Sequence, residues 1–211
     1  MVDFRTTTAL SPLQKKLLRD LWRLRGQVLA IAFVIASGTA TLVMSLSTIY
    51  ALEKTSTAYY QQYRFADIFA DLTRAPNQIA KRIRAIDGVQ TVHTRIVKHA
   101  TADIDNFVEP VIGQLVSIPE SKQPELNQLA MRAGRWIEPG REDEVILSEP
   151  FAESHNLRLG DQIQLIMQGI KRRFTVVGIA LSPEFIYSLP PGGLLPDAKR
   201  FGVIWVSHQV M

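Results

Sequence analysis

Four histidines, no cysteine and twenty acidic residues are what this 211-residue chain offers to chemistry. His99, Asp103 and Asp105 come closest to metal-ligand spacing. On a strand, however, residues four apart share a face at a separation of about 13 Å. That is too far to share one ion without an intervening turn, so no metal site is expected there. The absence of cysteine removes disulfides, thiolate metal sites and a cysteine nucleophile together. No serine sits in a nucleophile elbow, and no HExxH pair is present. Gly192-Gly193 lacks the lysine and hydroxyl spacing of a phosphate-binding loop, so any ATP-driven work requires another subunit to bind the nucleotide. The acidic run Glu142-Asp143-Glu144 after Arg141 reads as a solvated turn, and Arg172 and Arg173 as a solvated face. The residues therefore predict neither an enzyme nor a cofactor site.

Charge is more informative than chemistry. The net charge is +4 and the isoelectric point near 9.5, values that could suggest a nucleic-acid binder. The first 25 residues, however, carry six basic side chains against two acidic ones, and the remaining 186 balance at 18 of each. The folded part has no net basic footprint, so nucleic acid is not expected as a partner. The excess lies just before Gly26–Leu52, 27 consecutive residues without a charge. As a helix that run spans about 40 Å, against a hydrocarbon core of about 30 Å. A secretory signal has a shorter apolar core, of about 7–15 residues, and no persuasive small-x-small cleavage site follows this one. An uncleaved membrane anchor is the reading.

Ser11-Pro12 is a helix start, with a capping hydroxyl followed by proline at the first helical position. Beyond it Leu13, Leu17, Leu21 and Leu24 fall on one face, with Lys15, Lys16, Arg19 and Arg23 elsewhere. Such a helix lies in the membrane interface with Trp22 at headgroup depth. Together with Arg25 these basic residues set a cytoplasmic N-terminus by the positive-inside rule. Within the anchor, Ala32, Ala36 and Ala40 recur every four residues beside Ser37, a small-residue face that another helix can approach closely.

After a tyrosine-rich stretch, Phe65–Leu72 reads as a strand, Asn77–Ile86 as a short amphipathic helix capped by Gly88, and Val89–Ala102 as a second strand. This strand–helix–strand unit would be half of a ferredoxin-like arrangement. Phe107–Val116 follows as a strand, Ile118–Leu129 as loop and Gly134–Gly140 as a connector. Val145–Leu147 is a short strand, with a helix from Ser148 to about His155. Ile163–Met167 and Phe174–Val177 form a hairpin around Gln168-Gly169, Pro190–Gly193 is a loop, and Val203–Val206 is a last strand. The expected fold class is α+β: one N-terminal transmembrane helix, then a mixed extracytoplasmic domain combining the βαβ half with a small β-rich subdomain, incomplete as it stands. The expected boundaries are a leader over 1–25, a membrane helix over 26–52 and the domain over 53–211.

The stretch GRWIEPGREDEVILSEPFAESHNLRLGDQIQLIMQGIKRRFTVVGIALSPEF, Gly134–Phe185, resembles the extracytoplasmic domain of MacB/FtsX-like ABC-transporter permeases. Gly134, Arg135, Gly140, Glu144, Val145, Leu147, Ser148, Ala152, Leu157, Gly160, Asp161, Gly169, Phe174, Val176, Val177 and Gly178 follow that family's pattern in order. Ile86–Val89 and Tyr187–Val206 are similar to it as well, as are the leader and first membrane helix.

The resemblance implies that Gly134, Gly160, Asp161, Val176, Val177 and Gly178 are structural, with Gly160-Asp161 turning the chain into a hairpin. It implies a cytoplasmic ABC ATPase subunit as the motor, and further permease helices or a second permease copy as neighbours in the bilayer. The domain would relay motion to a lipid, lipoprotein or other substrate outside the cytoplasmic (inner) membrane. Such permeases carry at least three more membrane helices, and nothing after Leu52 here is apolar enough to span. The chain thus reads as the N-terminal portion of a permease. The alternative is a self-sufficient single-pass, membrane-anchored binding or adaptor module whose domain is extracytoplasmic.

Overall fold

The computed structural model describes residues 11–211 except 77, 105, 106, 108 and 191. The chain divides into two units, Met1–Ser56 and Thr57–Met211. Helix α1 (Pro12–Arg23) begins as its sequence predicts. The Ser11 hydroxyl accepts from the Gln14 N–H at 3.4 Å, and the Gln14 side chain accepts from the Ser11 N–H at 2.9 Å, closing a capping box.

Helix α2 (Arg25–Gln62) is the one helix among the described residues long and apolar enough to cross a membrane. It does not stop at the charges Glu53 and Lys54, because the segment to Gln62 contains neither glycine nor proline to break it. Its end is a Schellman motif. Arg64 takes the left-handed position (φ 49°), Phe65 N–H donates to the Tyr60 carbonyl at 2.9 Å, and the rings of Tyr60 and Phe65 pack at 4.9 Å.

Among the described residues seven strands follow: β1 (Val97–Asp103), β2 (Val111–Ile118), β3 (Ala130–Gly134), β4 (Glu144–Ser148), β5 (Gln162–Met167), β6 (Ile170–Leu181) and β7 (Phe201–Ser207). Six close into a barrel in the order β6-β4-β7-β2-β1-β5, returning to β6. β6 makes this possible because it is twelve residues long. One of its edges pairs first with β5 (Ile170–Thr175) and then with β3 (Gly178–Leu181), while β4 runs parallel along Thr175–Ala180. The β5–β6 turn is the expected two-residue hairpin, with Gln168 and Gly169 both at positive φ.

β4 and β7 are buried along their whole length, so their apolar residues run continuously instead of alternating. Leu115, Val145, Leu147, Val176, Ile204 and Val206 fill the barrel. Val116, Ile146, Val177, Val203 and Trp205 point the other way, under Leu129 and Ile137 of the connectors. Each fully buried large side chain contributes about 1.5–3 kcal/mol. Short helices α3 (Gln78–Arg84) and α4 (Glu149–Ser154) complete the fold.

The ferredoxin-like half is not formed. Phe65–Leu72 is not a strand, and neither is Val89–Ile96; the sheet takes the chain up from Val97, with Ser117 N–H donating to the Ile96 carbonyl at 2.9 Å just ahead of it. The apolar residues Phe65, Ile68, Phe69 and Leu72 are spaced three and four apart, so no alternating face exists for a sheet to bury, and Ile68 and Leu72 are exposed. The strand expected from Phe107 begins at Val111, where pairing with β1 starts. The connector expected at Gly134 is preceded by strand β3, and the β-rich part is the body of the domain rather than an appendage to it. Asn77, the expected helix start, and Pro191 of the expected loop lie outside the described residues.

Candidate functional site

Asp103, His155 and His208 are each engaged by a neighbouring group. Asp103 receives the Lys171 ammonium at 2.6 Å, and Asp105 lies outside the described residues. His155 Nε2 is 2.9 Å from the Lys199 carbonyl, with its ring set edge-on to Phe107 and Phe151. His208 Nδ1 is 3.2 Å from the Ser117 hydroxyl. Burial, and then the Arg95 charge, hold the His93 imidazole below its ordinary range, against an opposing pull from Glu125. Among the described residues, no three metal-ligating side chains stand close enough to hold an ion.

In α2, Ala32, Ala36 and Ala40 lie at helical spacing along one side, with Ser37 adjacent and its hydroxyl donating to the Val34 carbonyl at 2.9 Å. All four are exposed. Lys15, Lys16, Arg19 and Arg23 are exposed on α1, and Arg25 stands over the Trp22 ring at 5.9 Å.

The glycine motif converges on one place, the seam where β3 joins the barrel strand β6. Gly134 of β3 lies opposite Gly178 of β6. A Cβ on Gly134 (φ 79°) would sit 2.2 Å from the Val177 carbonyl oxygen, and one on Gly178 would sit 2.7 Å from that of Arg135. The close approach lets Arg135 N–H donate to the Val177 carbonyl at 2.9 Å, where the β4–β6 register slips by one residue. Val176 faces the barrel interior, and its backbone is bracketed by Gly160 N–H at 2.8 Å and the Asp161 carbonyl at 2.9 Å. Gly160 has φ 89°, and the Asp161 carboxylate accepts from the Arg158 N–H at 2.7 Å, which tightens the turn before β5.

Glu144 departs from the expected solvated turn. Its side chain is 3 % exposed and takes both Arg135 guanidinium nitrogens, at 2.9 and 2.6 Å, plus the Glu138 N–H at 3.0 Å. The Arg135 hydrogen bonds hold its carboxyl below the usual range despite burial. Glu142 and Asp143 behave as expected, pairing with Arg172 and Arg141 at the surface. An acid immediately preceding the run Val145–Leu147 was the available signal, since a charge entering a two-sided strand needs a partner.

A second junction joins residues far apart in the sequence. Asn127, at φ 52° in the loop before β3, donates its N–H to the Arg64 carbonyl at 2.9 Å, and Gln128 N–H donates to Tyr63, also at 2.9 Å. The Asn127 side chain accepts from the Ala66 N–H at 2.9 Å and donates to Glu184 at 3.1 Å. Glu184, in the 3-10 turn Pro183–Phe185, takes Arg95 through both carboxylate oxygens. The Arg95 guanidinium lies between the rings of Phe69 and Phe185, at 5.9 and 6.0 Å.

Among curated proteins none matches this chain. Of the solved structures that resemble it, the periplasmic region of MacB from Actinobacillus actinomycetemcomitans has 14% identity over 66% of this chain, with a TM-score of 0.41. The chain spans 57% of that region. The extracellular domain of the noncanonic ABC-type transporter YknZ from Gram-positive bacteria has 19% identity, covering 70% of this chain and 71% of its own, with a TM-score of 0.39. A family model, the MacB-like periplasmic core domain, matches residues 26–209, from the first residues of α2 to the turn after β7. The chain belongs to the family of proteins bearing the MacB-like periplasmic core domain of ABC-transporter permeases.

Proposed function

We propose that this chain is the N-terminal portion of a permease subunit in which α2 carries work done by a separate cytoplasmic ABC ATPase to the barrel outside the membrane. The observation that carries the reading is the single family match over 26–209, which takes in the membrane-capable helix and the barrel together. In this reading residues 1–25 are a cytoplasmic leader, 26–52 cross the inner membrane and 53–211 lie outside it. The distribution of basic residues supports that orientation. The face of Ala32, Ala36, Ala40 and Ser37 packs against other permease helices or a second copy. Gly134, Gly178, Gly160 and Asp161 hold the barrel wall, and Val176 and Val177 line its two faces. The work delivered acts on a lipid, lipoprotein or other substrate.

Affinity purification of the tagged, full gene product from native membranes in mild detergent tests this. An ABC ATPase subunit is expected in stoichiometric amount. Recovery of the chain free of any ATPase, as a stable monomer, would overturn the permease reading in favour of a self-sufficient binding or adaptor module.

A further inference from the structure

The covalent route from the end of α2 to the barrel is long. Thirty-four residues, 63–96, separate Gln62 from the first residue of β1, and among those described only Gln78–Arg84 is helical. A displacement at the end of α2 would dissipate along such a path. The junction at Asn127 and Glu184 bypasses it. Two backbone hydrogen bonds tie Tyr63 and Arg64 to Gln128 and Asn127, just ahead of Ala130, where β3 begins. Glu184 lies just beyond Leu181, where β6 ends, and Ala130 and Leu181 are partners in the sheet. Both arms therefore reach the same edge of the barrel. Asn127 connects them, one end of its amide on Ala66 and the other on Glu184. Arg95 closes the arrangement from the chain leading into β1, with its side chain 22% exposed and that of Glu184 16%.

We infer that Glu184, with Asn127 and Arg95, is the positioning group that couples the exit of α2 to the β3–β6 edge of the barrel. This rests on the membrane reading of α2. A rigid joint suits the role. Asn127 holds a left-handed backbone that asparagine tolerates better than most residues, and the Arg95–Glu184 pair is bidentate and flanked by two rings, so neither side chain swings freely. Tyr63, Arg64 and Ala66 then move with the barrel edge as one body.

The test uses the intact chain in phosphatidylcholine nanodiscs with short (14-carbon) or long (22-carbon) acyl chains, because bilayer thickness changes the tilt of a membrane helix. Hydrogen exchange is read at Tyr63–Ala66, at Leu181–Phe185 on the arm that Glu184 ties in, and in the barrel interior at Leu115 and Ile204. In the unmodified chain, exchange at both Tyr63–Ala66 and Leu181–Phe185 should differ threefold or more between the two lipids. In Glu184→Ala, Tyr63–Ala66 should still respond while Leu181–Phe185 does not, and Leu115 and Ile204 should stay protected. Glu184→Gln, which keeps an acceptor for the Asn127 amide, should retain most of the response, whereas Glu184→Met, which fills the space without an acceptor, should not. Equal responses at Leu181–Phe185 in the unmodified chain and Glu184→Ala would overturn the coupling role. So would loss of protection at Leu115 and Ile204, which would make Glu184 a general stabilising residue. If α2 itself ignores bilayer thickness, the membrane reading fails and this inference with it. Co-purification of an ATPase is a separate readout, so the two failures are distinguishable.

Discussion

Arg135 and Glu144, nine residues apart in sequence, meet through two hydrogen bonds that join the strand-to-strand connector to the mouth of β4. Removing the arginine leaves a carboxylate, 3 % exposed, with the Glu138 N–H and a distant Arg141 at 3.7 Å. Arg135→Met should therefore destabilise the domain by about 2–4 kcal/mol. The double replacement with Glu144→Gln should cost clearly less than the sum of the singles. Denaturant titration of the intact chain in detergent, followed by tryptophan fluorescence, checks both.

Acid should act on the same pair. The Glu144 carboxyl is held below its ordinary 4.5, chiefly by Arg135, so the unfolded chain binds its proton first as pH drops. Its contribution is complete above pH 4.5 and is lost as pH falls through the depressed folded value. His93 adds an earlier step. Its folded value lies below 6.5, so stability declines as pH falls from 6.5, where the unfolded imidazole protonates and the folded one resists. His93→Gln should flatten the upper step and leave the lower one, as read from the denaturation midpoint against pH.

Gly134→Ala should be among the most damaging single changes in the barrel wall. The added methyl group would meet a backbone oxygen at 2.2 Å in a left-handed conformation, and neither conflict can relax by side-chain rotation. A loss of about 2–4 kcal/mol is expected. Gly140→Ala, also at positive φ but with open space around it, should cost less. Comparing the two midpoints separates the clash from the backbone strain.

Arg64 closes the Schellman motif without being glycine. Arg64→Gly should be neutral or stabilise by up to about 1 kcal/mol, and Arg64→Val should cost about 1–3 kcal/mol, because a β-branched residue disfavours the left-handed region. Thermal unfolding by circular dichroism measures both.

Reversing the leader charges (Lys15, Lys16, Arg19, Arg23 and Arg25 to glutamate) should change which side of the membrane the barrel occupies. Protease protection of the Thr57–Met211 unit in spheroplasts reports this. Unchanged accessibility would sink the topology.

How far the sequence could be read follows from which signals were local. β4 and β7 stood out because strands buried on both faces spell unbroken apolar runs, Val145–Leu147 and Val203–Val206, and the β5–β6 turn carries its own Gln168-Gly169 signature. β3 spells no apolar pattern, since only Ala130 of its five residues is buried, and in the first half of β6 Lys171, Arg172 and Arg173 interrupt the alternation. Phe65–Leu72 has the apolar content of a strand, but its apolar residues are spaced three and four apart. The pairings of Glu144 and of Asn127 depend on partners 9 and 57 to 63 residues away, which only folding brings near.

The closed ring also sets a timetable. β7 is hydrogen-bonded between β2 and β4, so until Phe201–Ser207 has been synthesised those two strands keep unpaired edges that can associate with other chains. Pairings this distant in sequence, such as Leu115 with Ile204, form slowly, on a scale of about milliseconds to seconds. During that interval the nascent barrel is an open, sticky sheet. Its safe closure depends on how quickly β7 follows the rest of the chain.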